Sequence, residues 1–328
     1  MKEEDIRKRD VLNRYLELVG EDCEIFFRER AGYAKSACPA CASESAAPQF
    51  EKNGFGYAQC RQCRTLFVRN RPPYDKLVDF YTVSKSTAYW IRDFFLPMAE
   101  ARRQAIFRPR ADYIAGRFGT DPGWLIGDIG AGFGLFLEEM RASWPRCRYV
   151  AIEPSPEQAG ICSKAGLTAE CSTIEALRGY DARFDLLTAY ELLEHLADLR
   201  QFTEAVFRLL KPGGWFFMTT LNGEGFDIQV LWEKAKAVTP PHHLNFLNPE
   251  SLEQMLVRAG FEVPSVETPG KLDWDIVEGM IRHEEANPGR FWTLLAQQGT
   301  TEGKREFQEW LSRNRLSSHM RVLARKPL

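Results

Sequence analysis

Long apolar runs are absent from this chain of 328 residues; none approaches the roughly 18 residues needed to span a bilayer. Its first ten residues, MKEEDIRKRD, are charged, so no secretory signal is visible and the cytoplasm is the expected location. An excess of one charge is missing too: 43 Lys and Arg stand against 45 Asp and Glu, a net charge of −2. That balance gives no electrostatic basis for bulk nucleic-acid affinity. Histidine is scarce, five in all, so any clustering of it carries information. The remainder, 44% apolar and 27% charged, is ordinary for a globular protein. The length predicts one large domain plus something smaller.

Of eight cysteines, Cys23, Cys147, Cys162 and Cys171 are scattered and read as packing residues. The others form Cys38-Pro-Ala-Cys41 and Cys60-Arg-Gln-Cys63, with an 18-residue gap between them (positions 42 to 59). Two C-x-x-C knuckles at this separation match a tetrahedral four-thiolate zinc site. Each knuckle places two sulfurs about one ion, and a reducing compartment keeps the thiols available. A thioredoxin-like role would need a single C-x-x-C opening a helix. Four protein thiolates leave no open coordination position, so one structural zinc ion is expected, stapling a small loop-rich lobe. Phe50, Phe55, Tyr57 and Phe67 alternate around the knuckles as in a zinc-ribbon hairpin.

The rest of the chain is organised around Trp124 to Phe136, WLIGDIGAGFGLF. Leu125 and Ile126 begin an apolar strand with Asp128 near its end. Gly130, Gly132 and Gly134 alternate with Ala131 and Phe133, and an amphipathic helix follows at once. Strand, glycine turn and helix N-terminus form a ligand cradle, because glycine lets backbone N–H groups come close and the helix dipole favours negative charge. The dinucleotide fingerprint has its third glycine at the sixth position. Here Leu135 is sixth and glycine is fifth, which argues against a nicotinamide cofactor. The acid followed by G-x-G-x-G resembles motif I of class I S-adenosylmethionine-dependent methyltransferases, where it holds the methionine end of the cofactor. A second strand, Tyr149 to Ile152, ends at Glu153 and Pro154, Glu153 lying 23 residues beyond Gly130 (153 − 130). An acid at that tip can bind both ribose hydroxyls.

The βα alternation continues. Glu170 to Glu175, ECSTIE, resembles the adenine-binding edge of these enzymes, which points to Thr173 and Ile174. Phe184 to Ala189 is a fourth strand running into Tyr190-Glu191-Leu192-Leu193-Glu194-His195; a helix over Leu199 to Leu210 is then stopped by Pro212 and Gly213. The series FD…EHL…LLKPGG is similar to the segments found downstream of motif I in the same superfamily. The resemblance implies an α/β fold: a Rossmann-like seven-stranded methyltransferase sheet, mostly parallel, its last strand (His319 to Lys326) antiparallel. Phe261 to Thr268 would be the sixth strand. The expected organisation is a helical segment at 1–36, a zinc-binding lobe at 37–70, a helical linker or lid at 71–118, and the methyltransferase domain at 119–328. A helical insertion at about 270–315 falls inside that domain, as extra core, a cap over the substrate or a homodimer face. In the linker, Arg102, Arg103, Arg108, Arg110 and Arg117 make a basic stretch, either solvated helix faces or recognition of a phosphate on the acceptor. Tyr81, Tyr89 and Trp90 stand where such enzymes often fold a lid, or simply pack.

Two segments carry candidate chemistry. If 190–196 turn helically, Glu191, Glu194 and His195 share a face. The triplet E-x-x-E-H looks like that of ubiquinone O-methyltransferases, which implies a divalent ion near the acceptor; otherwise Glu194 and His195 only shape the pocket. Pro240-Pro241-His242-His243-Leu244-Asn245-Phe246 should form a loop after the fifth strand, over the ligand edge. Three of the five histidines, His195, His242 and His243, thus converge on one cleft and suit acid–base work. The segment resembles the (E/H)-H-L-x-F stretch of small-molecule and deoxysugar methyltransferases. Some sugar C-methyltransferases have Tyr and Glu in the two places before the final His; here these are Pro241 and His242. The expected function is methyl transfer from S-adenosylmethionine to a small-molecule acceptor, a sugar, nucleotide-linked sugar or natural product, with His243 as base and His195 next in line. A zinc-module RNA methyltransferase and a non-catalytic assembly module are the alternatives. The near-neutral charge and the lack of a Lys/Arg-rich ribbon weigh against RNA as partner.

Overall fold

The computed structural model describes residues 2–328. Its central sheet has seven strands: β1 (Leu125–Ile129), β2 (Arg148–Ile152), β3 (Thr168–Glu170), β4 (Phe184–Tyr190), β5 (Leu210–Leu221), β6 (Glu262–Glu267) and β7 (His319–Arg325). They lie in the order β6-β7-β5-β4-β1-β2-β3, and β7 runs antiparallel to both of its neighbours. The α/β sheet expected from the sequence is therefore present. Parallel strands covered on both faces need near-continuous apolar runs, and Ile126, Ile129, Val150, Ile152, Leu186, Leu187 and Ala189 are all buried.

The crossover helices include Leu135–Ser143, Pro156–Lys164 and Leu199–Leu209. The last starts on Asp198, whose carboxylate accepts from the N–H groups of Arg200 and Gln201 at 2.9 and 3.0 Å, a cap worth about 1 kcal/mol. Its end differs from the expectation. Leu210 already pairs with Phe184 as the first residue of β5, and Pro212–Gly214 fall in a register irregularity before pairing resumes at Trp215. The Pro-Gly-Gly stretch is thus an interruption inside a strand pairing rather than a helix stop.

The cysteine lobe is an antiparallel ribbon of Ala46–Lys52, Phe55–Cys60 and Leu66–Val68. Its fourth strand is Asn245–Phe246, which directly follows the histidine pair and lies beside Leu66 and Phe67. Tyr15 and Val19 of helix Arg9–Phe26, Phe55 and Tyr57 of the ribbon, Phe80 of the linker, and Trp274 and Val277 of the insertion share one buried cluster. Each fully buried aromatic or aliphatic side chain there contributes about 1.5–3 kcal/mol. The insertion comprises helices Asp273–Arg282, Arg290–Gln298 and Thr301–Arg313. Segments that read as separate in the sequence thus share a core against the end of β5. Among the described residues no helix is long and apolar enough to cross a membrane.

Candidate active site

The carboxyl ends of β1, β2 and β4 present the glycine turn, Glu153 and Tyr190. Gly130, Gly132 and Gly134 have φ of 68°, 55° and 76°, a region L side chains rarely adopt. Their spatial roles differ. A Cβ on Gly132 would meet only Gln158 Oε1, at 3.8 Å, whereas one on Gly134 would sit 2.8 Å from Leu167 Cδ1. Gly132 keeps the turn open; Gly134 lets the following helix pack on its neighbour, the task a third glycine has in dinucleotide folds. Ala131 accepts the N–H of Gly134 at 2.9 Å and closes the turn. Glu153 is buried, and its two oxygens accept from Gly132 N and Ser155 N, both at 2.9 Å. A carboxylate offers about four acceptor positions, so two stay available for a ribose diol. Burial raises Glu153, with those two N–H groups opposing. Asp128 lies below the turn, accepting from Thr188 Oγ1 at 2.6 Å. Burial pushes it up to about 7 despite that bond. Pro154 continues the tip. In the next loop the Oγ1 of Thr173 accepts from Ala176 N at 3.4 Å, while Ile174 is buried in the core. This donor set and open turn fit a bound S-adenosylmethionine.

Beyond Tyr190 the predicted helical face does not form. Glu191 has φ of 50°, and only Leu193–His195 coil, as a 3-10 turn. The reversal at Glu191 takes it out of the helical face expected with Glu194 and His195. Its carboxylate instead accepts from Thr219 Oγ1 at 2.6 Å and pairs with Arg110 at 3.0 Å and His319 at 3.4 Å. Burial pushes Glu191 up, but His319, Arg110, the Thr219 hydrogen bond and His243 together outweigh it and the net shift is downward. The grouping that does form is Glu194, His195 and His243, with one ligating atom from each within 4.8 Å of the others. His243 thus takes the place the sequence reading gave to Glu191.

The three histidines do converge, with ring centroids of His195 and His243 4.7 Å apart and those of His195 and His242 6.5 Å apart. His243 Nδ1 lies 2.5 Å from the carbonyl of Ala237. A carbonyl only accepts, so Nδ1 carries the hydrogen and Nε2 keeps its lone pair. Burial pushes His243 down to about 4, partly offset by that carbonyl, and His242 to about 3; both are neutral at neutral pH. Burial also raises Glu194 to about 8, with Glu191 adding to the shift. His242 is boxed by Tyr15, Phe80 and Tyr81, at 5.7, 5.0 and 5.3 Å between centroids, and its Nε2 has no partner. Its setting is a wall more than a mobile base.

The ribbon holds this loop. Tyr57 Oη donates to the His243 carbonyl at 2.6 Å, Val68 N to Leu244 O at 2.9 Å, and Asn248 Nδ2 to Cys63 O at 2.8 Å. At its far end Cys38, Cys41, Cys60 and Cys63 cluster within 4.8 Å, with Sγ–Sγ distances of 3.5 Å (Cys38–Cys63) and 3.4 Å (Cys41–Cys60). A tetrahedron with zinc–sulfur bonds of about 2.3 Å has edges near ~3.8 Å. Both knuckles close alike: Ala42 N donates to Cys38 O and Arg64 N to Cys60 O, at 2.8 and 3.0 Å, with Ala42 and Arg64 both at positive φ. The four thiols fit a zinc ion.

Residues 98–266, a little over half of the 328, match the model of the family described as "Methyltransferase domain". The chain belongs to this family. It is an S-adenosylmethionine-dependent methyltransferase. It is 38% identical to the ubiquinone biosynthesis O-methyltransferase of Methylocella silvestris over 106 residues, 30% of this chain and 41% of that protein. With the enzyme of the same name from Xanthomonas campestris pv. campestris strain B100 it shares 30% over 170 residues, 48% of this chain and 70% of that one. Among solved structures, the Burkholderia thailandensis 1,6-didemethyltoxoflavin-N1-methyltransferase aligns at a TM-score of 0.49 and 14% identity, covering 86% of this chain and all of that one (100%).

The methyltransferase also places residues at the site that sequence reasoning passed over. Tyr15 reaches His242 from the N-terminal helix, with ring centroids 5.7 Å apart. His319 arrives because β7 is antiparallel, so its first residue pairs with Leu221 at the carboxyl edge. The linker arginines divide. Arg103 and Arg108 clamp Glu139 at 2.8 and 3.0 Å, and Arg117 is exposed, while Arg110 stacks 4.4 Å over Tyr190, whose hydroxyl has no partner. Tyr81 faces the cleft. Tyr89 and Trp90 pack in the helical core, Trp90 4.8 Å from Tyr15. A cavity of about 610 Å³ opens at the other end of the sheet, beside Leu125, Arg148 and Lys211, far from this chemistry.

Proposed function

We propose that this methyltransferase acts on a hydroxyl or acidic carbon of a small-molecule acceptor, with His243 as the base. The observation that carries the reading is the tautomer fixed by Ala237, which leaves the Nε2 lone pair of a neutral His243 in the cleft shared with Glu194 and His195. When bound, S-adenosylmethionine supplies an electrophilic methyl group on a sulfonium. Gly132 and the backbone of the turn would seat its amino-acid end, Glu153 its ribose, and the loop bearing Thr173 its adenine. Asp128 and Tyr190 line the floor. The acceptor's proton passes to His243 Nε2, and Glu191, on the same side, stabilises the imidazolium that forms. General-base assistance of this kind is typically worth about 10²–10⁴-fold, and holding the reactants together up to roughly 7–11 kcal/mol. The names of the relatives, O-methyltransferases of ubiquinone biosynthesis, support an oxygen acceptor on a small molecule. A zinc ion on Cys38, Cys41, Cys60 and Cys63 is structural in this reading, acting through the ribbon that holds the His243 loop.

A second reading has a divalent cation on Glu194, His195 and His243, favoured by the 4.8 Å grouping of their ligating atoms. His243→Ala separates the readings. A loss of turnover that added Mg²⁺ or Zn²⁺ never changes, with S-adenosylhomocysteine affinity intact, supports the base; full turnover in the variant removes that role. Labelled S-adenosylmethionine added to cell extract split into small-molecule and RNA fractions tests the acceptor class.

A further inference from the structure

Of the linker arginines that are not exposed, Arg102 is the one without a carboxylate partner among the described residues. Among the described residues its Nε, shut off from solvent, has no hydrogen-bond partner, and its Nη1 reaches only the Ile6 carbonyl, at 3.5 Å. Among the described residues no carboxylate forms an ion pair with it. Its surroundings add positive charge. Burial pushes Arg102 down to about 10, and Arg110 and Arg7 push the same way, with Glu191 opposing. Arg110 has Glu191 as partner, and Arg7 has Glu3 at 2.8 Å; Arg102 has neither. Its guanidinium lies 5.4 Å from the centre of the Phe95 ring, and Phe95 stacks at 4.8 Å on Phe133 of the glycine turn. The charge thereby sits beside the ring that covers the cofactor turn, close enough to Arg110 and Glu191 to feel both. Arg102 is half-buried; withdrawing a guanidinium from water without a counter-charge is costly, and a planar fork with free N–H donors is the arrangement that takes carboxylate or phosphate oxygens.

We propose that the acceptor carries a carboxylate or phosphate group, and that Arg102, with Arg110 beside it, is the subsite that binds this anion. The inference rests on the methyltransferase reading, since it places the acceptor over the same turn. It narrows the substrate to an acid or phosphate ester whose methylated atom reaches His243 while its anion reaches Arg102. The Glu191 carboxylate already takes one N–H of Arg110, so Arg102 bears most of the recognition. A second source of the same chemistry is the carboxylate of the cofactor's own methionine end, and the test must separate the two.

The full-length protein saturated with S-adenosylhomocysteine is titrated with inorganic phosphate, pyrophosphate and acetate by calorimetry, beside Arg102→Gln and Arg102→Lys. Thermal melts confirm that each variant is folded. At least one anion should bind the wild-type complex, weaken about 10- to 100-fold in Arg102→Gln, and recover in part in Arg102→Lys, with S-adenosylhomocysteine affinity the same in all three. Two results overturn the proposal. One is no anion binding to the wild-type complex at millimolar concentrations. The other is a loss of S-adenosylhomocysteine affinity in Arg102→Gln, which would assign the guanidinium to the cofactor carboxylate. Failure of the wild-type protein to bind S-adenosylhomocysteine at all is a different outcome: it removes the methyltransferase reading, and this proposal with it.

Discussion

Tyr57→Phe tests whether the cysteine ribbon holds the loop that carries His243. The ring is buried (1% exposed), and its hydroxyl donates at 2.6 Å to the carbonyl of His243. Phenylalanine keeps the ring and its packing on Phe50 and Phe246, so the substitution removes one hydrogen bond and little else. An interior carbonyl left unpaired costs about 1–3 kcal/mol. The loop can relieve that cost only by shifting, and a misplacement of about 1 Å in a reacting group can cost ~10²-fold. The expected result is a kcat lowered roughly 10- to 100-fold, with S-adenosylhomocysteine affinity unchanged because the glycine turn and Glu153 lie on other elements. Steady-state kinetics beside calorimetry measure both. Lost stability with full kcat would refute the idea that the ribbon positions His243. A parallel fall in cofactor affinity would refute its local reach.

Other consequences stem from the same geometry. Glu153→Ala should weaken S-adenosylhomocysteine by two ribose hydrogen bonds to a charged group, about 10²-fold or more, measured by calorimetry. Zinc analysis should find about one ion per chain, and Cys60→Ser should lose it, with the ribbon opening to protease while the central sheet persists. Turnover should fall as pH drops through about 4, where His243 takes up its proton, read from a pH–rate profile with stability checked at each point. Asp227 makes a stability prediction of the opposite sign. Burial beside Asp273 raises its folded carboxyl to about 8, so the native state keeps a proton the unfolded chain releases near its ordinary value of about 4. Stability should therefore decline by up to about 1.4 kcal/mol for each pH unit between ~4 and ~8, and Asp227→Asn should flatten that slope in urea unfolding.

The sheet was legible in the sequence because parallel strands buried on both faces write themselves as short apolar runs, each ending at a marked residue: Asp128, Glu153, Tyr190. The four-cysteine cluster was legible because two C-x-x-C knuckles at this spacing point to one four-thiolate site. What stayed hidden depends on pairings between distant segments. Nothing in Asn245-Phe246 announces an edge strand of a ribbon whose paired residue lies 180 positions earlier (246 − 66 = 180). The left-handed turn at Glu191 broke a helical spacing that was sound as a pattern; the carboxylate is drawn off by Arg110, Thr219 and His319, which come from three other elements. Pro212–Gly214 read as a helix stop because proline and glycine usually are one, and a strand irregularity leaves the same signature. The basic linker looked uniform until packing sorted its arginines into two clamps on Glu139, one exposed residue, and Arg102 and Arg110 at the cleft.

The central claim, that a sulfonium nucleoside is held at the bend from Gly130 to Gly134 with its sugar on Glu153, is most directly tested by isothermal titration of the purified protein. One molecule of S-adenosylhomocysteine should bind per chain, and NAD should give no heat of binding. Uptake of NAD with no response to S-adenosylhomocysteine would contradict the account.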